Sequence, residues 1–332
     1  MLYFGGDWLV EGASKLARSF GISALVVGLT VVAFGTSVPE LLVSVSAALG
    51  GTSDIAIGNV IGSNIANIGL ILGVAGLIFP IAVRAALLKR EIPILVTTTA
   101  FTALLFYDGT ISRLDGLLLV IGLVAFNVAM IYFARQDHRR SDDLAEEVAE
   151  YEAGEDPPIT PAERIREVVR LGLGLVVLAV GAQLTVTGAV SIARDVGVSE
   201  LVIGITLVAV GTSLPELATA VVAAFNKQSD IAIGNVVGSN IFNLLSILGI
   251  TALIRPISMI QPMTFGEWST IVANPLVYNY DTYFQVTRVD GPVMLGFTLL
   301  LFPFVLNRRI GRGESLLLLT LYVAFSVFVV VR

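Results

Sequence analysis

The chain has 332 residues, 55% of them apolar and only 14% charged, with a mean hydropathy of +0.88 and a formal net charge of −6. A soluble domain carries about a quarter charged residues, so this composition excludes a soluble globular protein and points to an all-α polytopic membrane protein. The chain has no cysteine, which excludes thiolate metal sites and thiol catalysis. Its single histidine, His138, lies in a charged segment and offers no basis for a zinc enzyme, and no basic tract points to nucleic acid.

Apolar runs place five membrane segments in each half of the chain. In the first half they lie near residues 1–20, 23–49, 54–79, 92–107 and 114–134. In the second they lie near 168–193, 199–225, 230–254, 292–306 and 315–331. The first segment carries Asp7, Glu11, Lys15 and Arg18 and is short against the about 20 apolar residues a span requires, so it is read as shortened at its N-terminus. Between the halves, residues 135–167 form a polar stretch interrupted by Pro157, Pro158 and Pro161. This stretch reads as a solvated acidic linker, in part helical, because 11 of the 26 acidic residues fall between Asp137 and Glu167.

The two halves are copies of one another. Residues 35–73 and 211–249 align without a gap at an offset of 176, with 25 of 39 positions identical. Gly12, Ala17 and Arg18 upstream match Gly188, Ala193 and Arg194 at the same offset, and Pro80-Ile81 downstream matches Pro256-Ile257. The offset then becomes 199, where Pro93 matches Pro292, Ile111 matches Ile310 and Arg113 matches Arg312. The difference of 23 residues is an insertion near residues 263–285, containing Trp268, Tyr278, Tyr280, Tyr283 and Phe284, and reads as a surface loop. The expected organisation is therefore a first five-helix repeat over 1–134, the linker over 135–167 and a second repeat over 168–332.

Five spans per repeat invert the second copy relative to the first. With the N-terminus outside, inside loops hold 15 of the 20 Lys and Arg residues and outside loops hold 5, which favours this orientation and a cytoplasmic linker.

Each copy holds one glutamate in an apolar, hydroxyl-rich setting: Gly35-Thr36-Ser37-Val38-Pro39-Glu40 and Gly211-Thr212-Ser213-Leu214-Pro215-Glu216. An intramembrane carboxylate is costly, and two recurring in register point to function more than to structure. Glu40 shares a helical face with Thr36 and Ser37, and Glu216 with Thr212 and Ser213. Pro39 and Pro215 free the carbonyls four residues back, at Gly35 and Gly211. Each repeat thus supplies one carboxylate, hydroxyls and loosened carbonyls, a set suited to a hard cation, and two carboxylates balance a divalent one. A second element, Gly58-Asn59-Val60-Ile61-Gly62-Ser63-Asn64 with Asn67, recurs as Gly234-Asn235-Val236-Val237-Gly238-Ser239-Asn240 with Asn243. Its glycines suit close helix packing, and Ser63 with Asn67, like Ser239 with Asn243, adds neutral oxygens on one face. For Asn59, Asn64, Asn235 and Asn240, interhelical hydrogen bonding and ion contact are equally good readings. Thr36 and Ser37 could instead bond back to their own helix. Asp54 and Asp230 read as helix-start residues.

The doubled motif, GTSVPE with GNVIGSN and GTSLPE with GNVVGSN, resembles the two alpha-repeats of the calcium/cation antiporter superfamily, particularly prokaryotic sodium/calcium exchangers. The resemblance covers nearly the whole chain. It implies ten transmembrane helices in two inverted halves, a multi-pass protein of a prokaryotic cell membrane, and alternating access at a midplane site. It also implies a calcium site formed by Glu40, Glu216 and the carbonyls of Thr36 and Thr212. Sodium would share these glutamates and add Ser37, Ser63, Ser213 and Ser239 with the carbonyls of Ala33 and Ala209, while Asn67 and Asn243 complete the centre. Some members carry aspartate where this chain has Asn243, which argues against potassium dependence. The implied partners are calcium and sodium ions and membrane lipid, with no cofactor and no protein partner named by the sequence. The alternatives are a proton/calcium exchanger with titrating glutamates and, further off, a passive cation channel, which would need a continuous pore. An intramembrane enzyme finds no supporting motif.

Overall fold

The computed structural model describes residues 1–20, 22–148, 160–196, 209–259 and 285–331. The insertion with its aromatic residues and the start of the seventh expected segment, residues 199–208, lie outside the described residues. Helix α1 spans Leu2–Ser19. A broken span follows, α2 (Ala24–Thr36) and α3 (Val38–Gly50), bent by 42°. Next come α4 (Ser53–Ile78), α5 (Ile92–Leu105), α6 (Arg113–Val148) and α7 (Pro161–Asp195). The second half continues with α8 (Ala209–Thr212), α9 (Leu214–Phe225), α10 (Ser229–Ile254), α11 (Val286–Leu306) and α12 (Arg312–Val331). Among the described residues, six helices are long and apolar enough to cross a membrane, and the bent pair makes a seventh span.

The polar linker is helical at both ends. Helix α6 continues through His138 to Val148, and α7 begins at Pro161. The extension of α6 contains Arg139, Arg140, Leu144, Ala145, Glu146 and Glu147, residue types that favour helix, and it has no glycine or proline. The start of α7 is set by a capping box, in which Thr160 Oγ1 accepts from the Glu163 amide and Glu163 accepts from the Thr160 amide at 2.8 Å.

Helices α4 and α10 form the centre. Of their apolar windows, 72% and 83% respectively are buried, against 22% for α6, 17% for α7 and 11% for α12. Those outer helices expose Leu117, Ile121, Val124, Val176, Val180, Leu184, Val323 and Val327, apolar side chains that only lipid satisfies.

Two short antiparallel ribbons record the inversion. Strand β1 (Ile81–Ala82) pairs with β4 (Arg309–Ile310), and β2 (Thr110–Ile111) pairs with β3 (Ile257–Ser258). The repeat equates Ile81 with Ile257 and Ile111 with Ile310, so exchanging the halves maps the Ile81–Ile310 pair onto the Ile257–Ile111 pair. The β1 and β2 strands flank α5 at its two ends, so equivalent loops lie at opposite ends of the bundle. Internal π-turns are also paired: Asn67–Leu72 with Asn243–Ile247, and Leu87–Glu91 with Val286–Asp290.

Close packing at the centre uses glycine. A Cβ on Gly238 of α10 would lie 2.5 Å from the Leu29 carbonyl oxygen of α2, and one on Gly234 would lie 2.9 Å from that of Leu25. Gly238→Ala is therefore expected to lower stability by about 2 kcal/mol or more, whereas Gly172→Ala, in open space on α7, is expected to be neutral or slightly stabilising. Thermal unfolding in detergent with a size-exclusion readout checks both, and equal melting temperatures would remove the packing argument.

Candidate ion-binding site

The break between α2 and α3 falls at Ser37, and that between α8 and α9 at Ser213. Each proline sits in the first turn of the following helix, where a missing amide leaves no bond unmade. The chain therefore breaks just before the prolines rather than across them. The Ser37 amide still donates to the Ala33 carbonyl at 3.1 Å, and the Ser213 amide donates to Val210 at 3.2 Å. Glu40 and Glu216 stand in the first turns of α3 and α9, on the positive ends of those helices.

Both carboxylates are buried, each 1% exposed. Each accepts from a hydroxyl of the other half: Ser37 Oγ donates to Glu216 Oε1 at 3.3 Å, and Ser213 Oγ donates to Glu40 Oε1 at 3.4 Å. Ser213 Oγ also lies 3.4 Å from Ser63 Oγ, and Thr36 Oγ1 lies 3.5 Å from Ser239 Oγ. Thr36 Oγ1 reaches the Ala33 carbonyl at 3.3 Å and Asn235 Oδ1 at 3.1 Å, so its one proton serves either the intrahelical or the interhelical bond. Its mate Thr212 donates to Asn59 Oδ1 at 3.3 Å. Ala209 opens α8, and Ala33 opens the last turn before the break in α2.

One helical turn beyond Ser63 and Ser239, on α4 and α10, Asn67 and Asn243 belong to an amide cluster. Asn67 Nδ2 donates to Asn240 Oδ1 at 2.9 Å, and Asn243 Nδ2 donates to Asn64 Oδ1 at 3.4 Å, again as mates across the two halves. Asn67 and Asn243 each begin a π-turn, a local widening common at functional positions.

The structure thus gathers Thr36, Ser37, Glu40, Ser63, Asn67, Ser213, Glu216, Ser239 and Asn243 into one buried region. Four buried oxygens there have no hydrogen-bond partner among the described residues: Glu40 Oε2, Glu216 Oε2, Asn67 Oδ1 and Asn243 Oδ1. Nor does any described Lys or Arg pair with either glutamate. The contrast with Glu167 on α7 is direct, since that buried acid is ringed by Lys15, Arg166 and Arg170 at 3.3–3.9 Å. Orphaned acceptors and uncompensated acids together make a setting that a dehydrated cation, or a bound proton, would satisfy.

Asn59 and Asn235, read either way from sequence, are interhelical struts. Asn59 Nδ2 donates to the Glu40 carbonyl at 3.1 Å and to Ser44 Oγ at 2.9 Å. Ser44 escaped sequence reading, although its spacing of four from Glu40 places it on the Thr36–Glu40 face. Its mate in the second half is Ala220, and there Asn235 Nδ2 has no partner among the described residues. Asp54 and Asp230 lie in the first turns of α4 and α10, and Asp230 pairs with Arg84 at 2.6 Å.

An inverted duplication with a buried, uncompensated oxygen cluster where its halves meet defines a membrane transporter for cations. The chain belongs to the sodium/calcium exchanger family: the family described as sodium/calcium exchanger protein matches residues 1–132 and 167–331. A relative in Alkalimonas amylolytica, provisionally named an antiporter, is 40% identical over 98% of this chain and 94% of its own length. A sodium/calcium exchanger of Methanosarcina acetivorans is 33% identical, covering 97% of this chain and 93% of its own. A structure of the sodium-calcium exchanger NCX_Mj, soaked with Na+ and no Ca2+, aligns with a TM-score of 0.76 at 34% identity over 97% of this chain and 93% of that one.

The broken symmetry at Asn235 yields a paired expectation. Ser44→Ala should destabilise the protein by about 1 kcal/mol, and Ala220→Ser, which offers Asn235 its missing acceptor, should stabilise it by a similar amount. Melting temperatures of the two variants in one detergent check the opposite signs.

Proposed function

We propose that this chain exchanges sodium for calcium by alternating access, with the two ions competing for one set of oxygens. The calcium ligands are Glu40, Glu216 and the carbonyls of Thr36 and Thr212. Sodium shares the glutamates and adds the hydroxyls of Ser37, Ser63, Ser213 and Ser239 with the carbonyls of Ala33 and Ala209. Asn67 and Asn243 complete the centre. The observation that supports this most is the set of four unpartnered acceptor oxygens around two acids lacking any basic partner among the described residues. Two carboxylates neutralise one calcium, while bare carboxylates resist enclosure in a dry site, which ties movement to loading.

The functional halves are residues 1–134 and 168–332, joined by a cytoplasmic linker, with the N-terminus outside as the charge distribution favours. Sodium is preferred over protons as the coupling ion because of the four serine hydroxyls, neutral ligands that a proton carrier does not need. The sodium/calcium exchanger of Methanosarcina acetivorans and the Na+, Ca2+ and Sr2+ soaks of NCX_Mj support the same choice.

Radioactive calcium uptake into sodium-loaded proteoliposomes, diluted into sodium-free buffer at clamped pH and voltage, tests the coupling. Uphill uptake that disappears when internal sodium is replaced by choline is the expected result. Uptake indifferent to sodium but driven by an imposed pH gradient would transfer the assignment to proton/calcium exchange. In the same assay Glu40→Gln and Glu216→Gln should each reduce calcium flux to background while the protein stays monodisperse. Wild-type flux in either variant would sink the ligand assignment.

A further inference from the structure

We propose that Met294, on α11 and outside the helices that carry the oxygen cluster, is a positioning residue that sets which end of the Asn243 amide is presented at the cation site, an inference that rests on the site reading above. The two ends of an asparagine side chain are nearly equal in shape, one accepting and the other donating hydrogen bonds. Their orientation is decided by neighbours. At Asn64 that neighbour is Met294, fully buried, whose Sδ accepts from Asn64 Nδ2 at 3.6 Å. The amide of Asn64 consequently turns its Oδ1 to Asn243 Nδ2 at 3.4 Å. With its NH2 committed there, Asn243 leaves Oδ1 as a buried acceptor without a partner. The orientation is passed along as a chain, from thioether to Asn64 to Asn243.

Reversing the first link shows what it controls. A turned Asn64 would set its Oδ1 against a sulfur that has no proton to give, and its Nδ2 against Asn243 Nδ2. Donor would face donor until Asn243 also turned, and the site would then meet a cation with an NH2 group rather than an oxygen. Sulfur is a weak acceptor, so the bond itself contributes little. The bias comes from the two bad contacts that reversal creates together.

The other half uses a different anchor. The repeat equates Met294 with Leu95, which has no acceptor. There Asn240 Nδ2 donates instead to the Asn64 main-chain carbonyl at 3.3 Å, and Asn240 Oδ1 accepts from Asn67 Nδ2 at 2.9 Å, leaving Asn67 Oδ1 unpartnered. One amide chain is thus held by backbone and the other by a side chain, and only the second can be released by substitution.

The test measures calcium KM and maximal rate of uptake in proteoliposomes for Met294→Leu, which keeps the volume but has no acceptor, and for Met294→Gln, which restores one. Met294→Leu is expected to raise the KM about five- to tenfold with little change in maximal rate or melting temperature. Met294→Gln is expected to return the KM to within about twofold of wild type. In an Asn243→Asp background Met294→Leu should have no effect on KM, because a carboxylate offers oxygen in either orientation. Three results would each overturn the proposal: an unchanged KM in Met294→Leu, an equal rise in the Leu and Gln variants, or a rise that persists in the Asn243→Asp background. Wild-type protein without cation-dependent uptake would instead remove the site reading itself, and the proposal with it.

Discussion

Two buried carboxylates with no basic side chain beside them among the described residues are the constraint around which the centre is organised. Glu40 and Glu216 each accept a hydrogen bond from a serine hydroxyl of the opposite half, at 3.3–3.4 Å. Hydroxyl donors orient a carboxylate but do not cancel its charge, and in a dry interior the remaining cost is several kcal/mol per ion. Other buried or partly buried acids escape that cost within the chain: Glu167 is met by three basic side chains and Asp230 by Arg84. On the proposed reading, the central pair is left for a cation that arrives from outside. A permanent Lys or Arg there would stabilise the fold and occupy the place of the cargo.

The same constraint explains why the protein is a duplication and why the copies are inverted. One half supplies a single carboxylate, too little oxygen to replace the shell of a divalent ion, which needs about 6–8 ligands. Inversion brings the first turns of α3 and α9 together, so two positive helix ends and two carboxylates meet where α4 and α10 cross. Packing α10 against the broken span needs glycine at Gly234 and Gly238, where the backbones of α2 and α10 touch. The ribbons at the two ends of the bundle tie loops from opposite halves, and their matched registers hold the halves in symmetric relation.

Much of this was legible in the sequence because duplication converts weak local signals into paired ones. A single GTSVPE stretch is an odd helix; two at a fixed offset, each with one acid, mark a shared site. The order of helices followed from apolar runs, and the inversion followed from their odd number. Other features had no local signature. The break at Ser37 precedes the proline, since proline is most easily accommodated in a first turn, and periodicity cannot locate such a shift. The extent of helix in the linker, at its two ends, had no local signature either, because charge density reports exposure and not backbone conformation. Ser44 was within reach of spacing arguments, four residues beyond Glu40. Met294 was not: its contact with Asn64 spans 230 residues and depends on how α11 packs.

The departures from symmetry are informative for what an exchanger must do. The acceptor groups facing the centre are matched pair by pair: Thr36 with Thr212, Ser37 with Ser213, Glu40 with Glu216, Ser63 with Ser239, Asn67 with Asn243. The layer behind them is not, with Ser44 against Ala220 and Met294 against Leu95. On the proposed ligand set, an ion approaching from either side meets nearly the same oxygens, as reversible exchange requires. The supporting layer holds those oxygens by different bonds in the two halves, so exchanging the conformations of the halves does not return the same energy. A protein that alternates between two access states can set their relative populations in this way without altering the ligands that the ion sees.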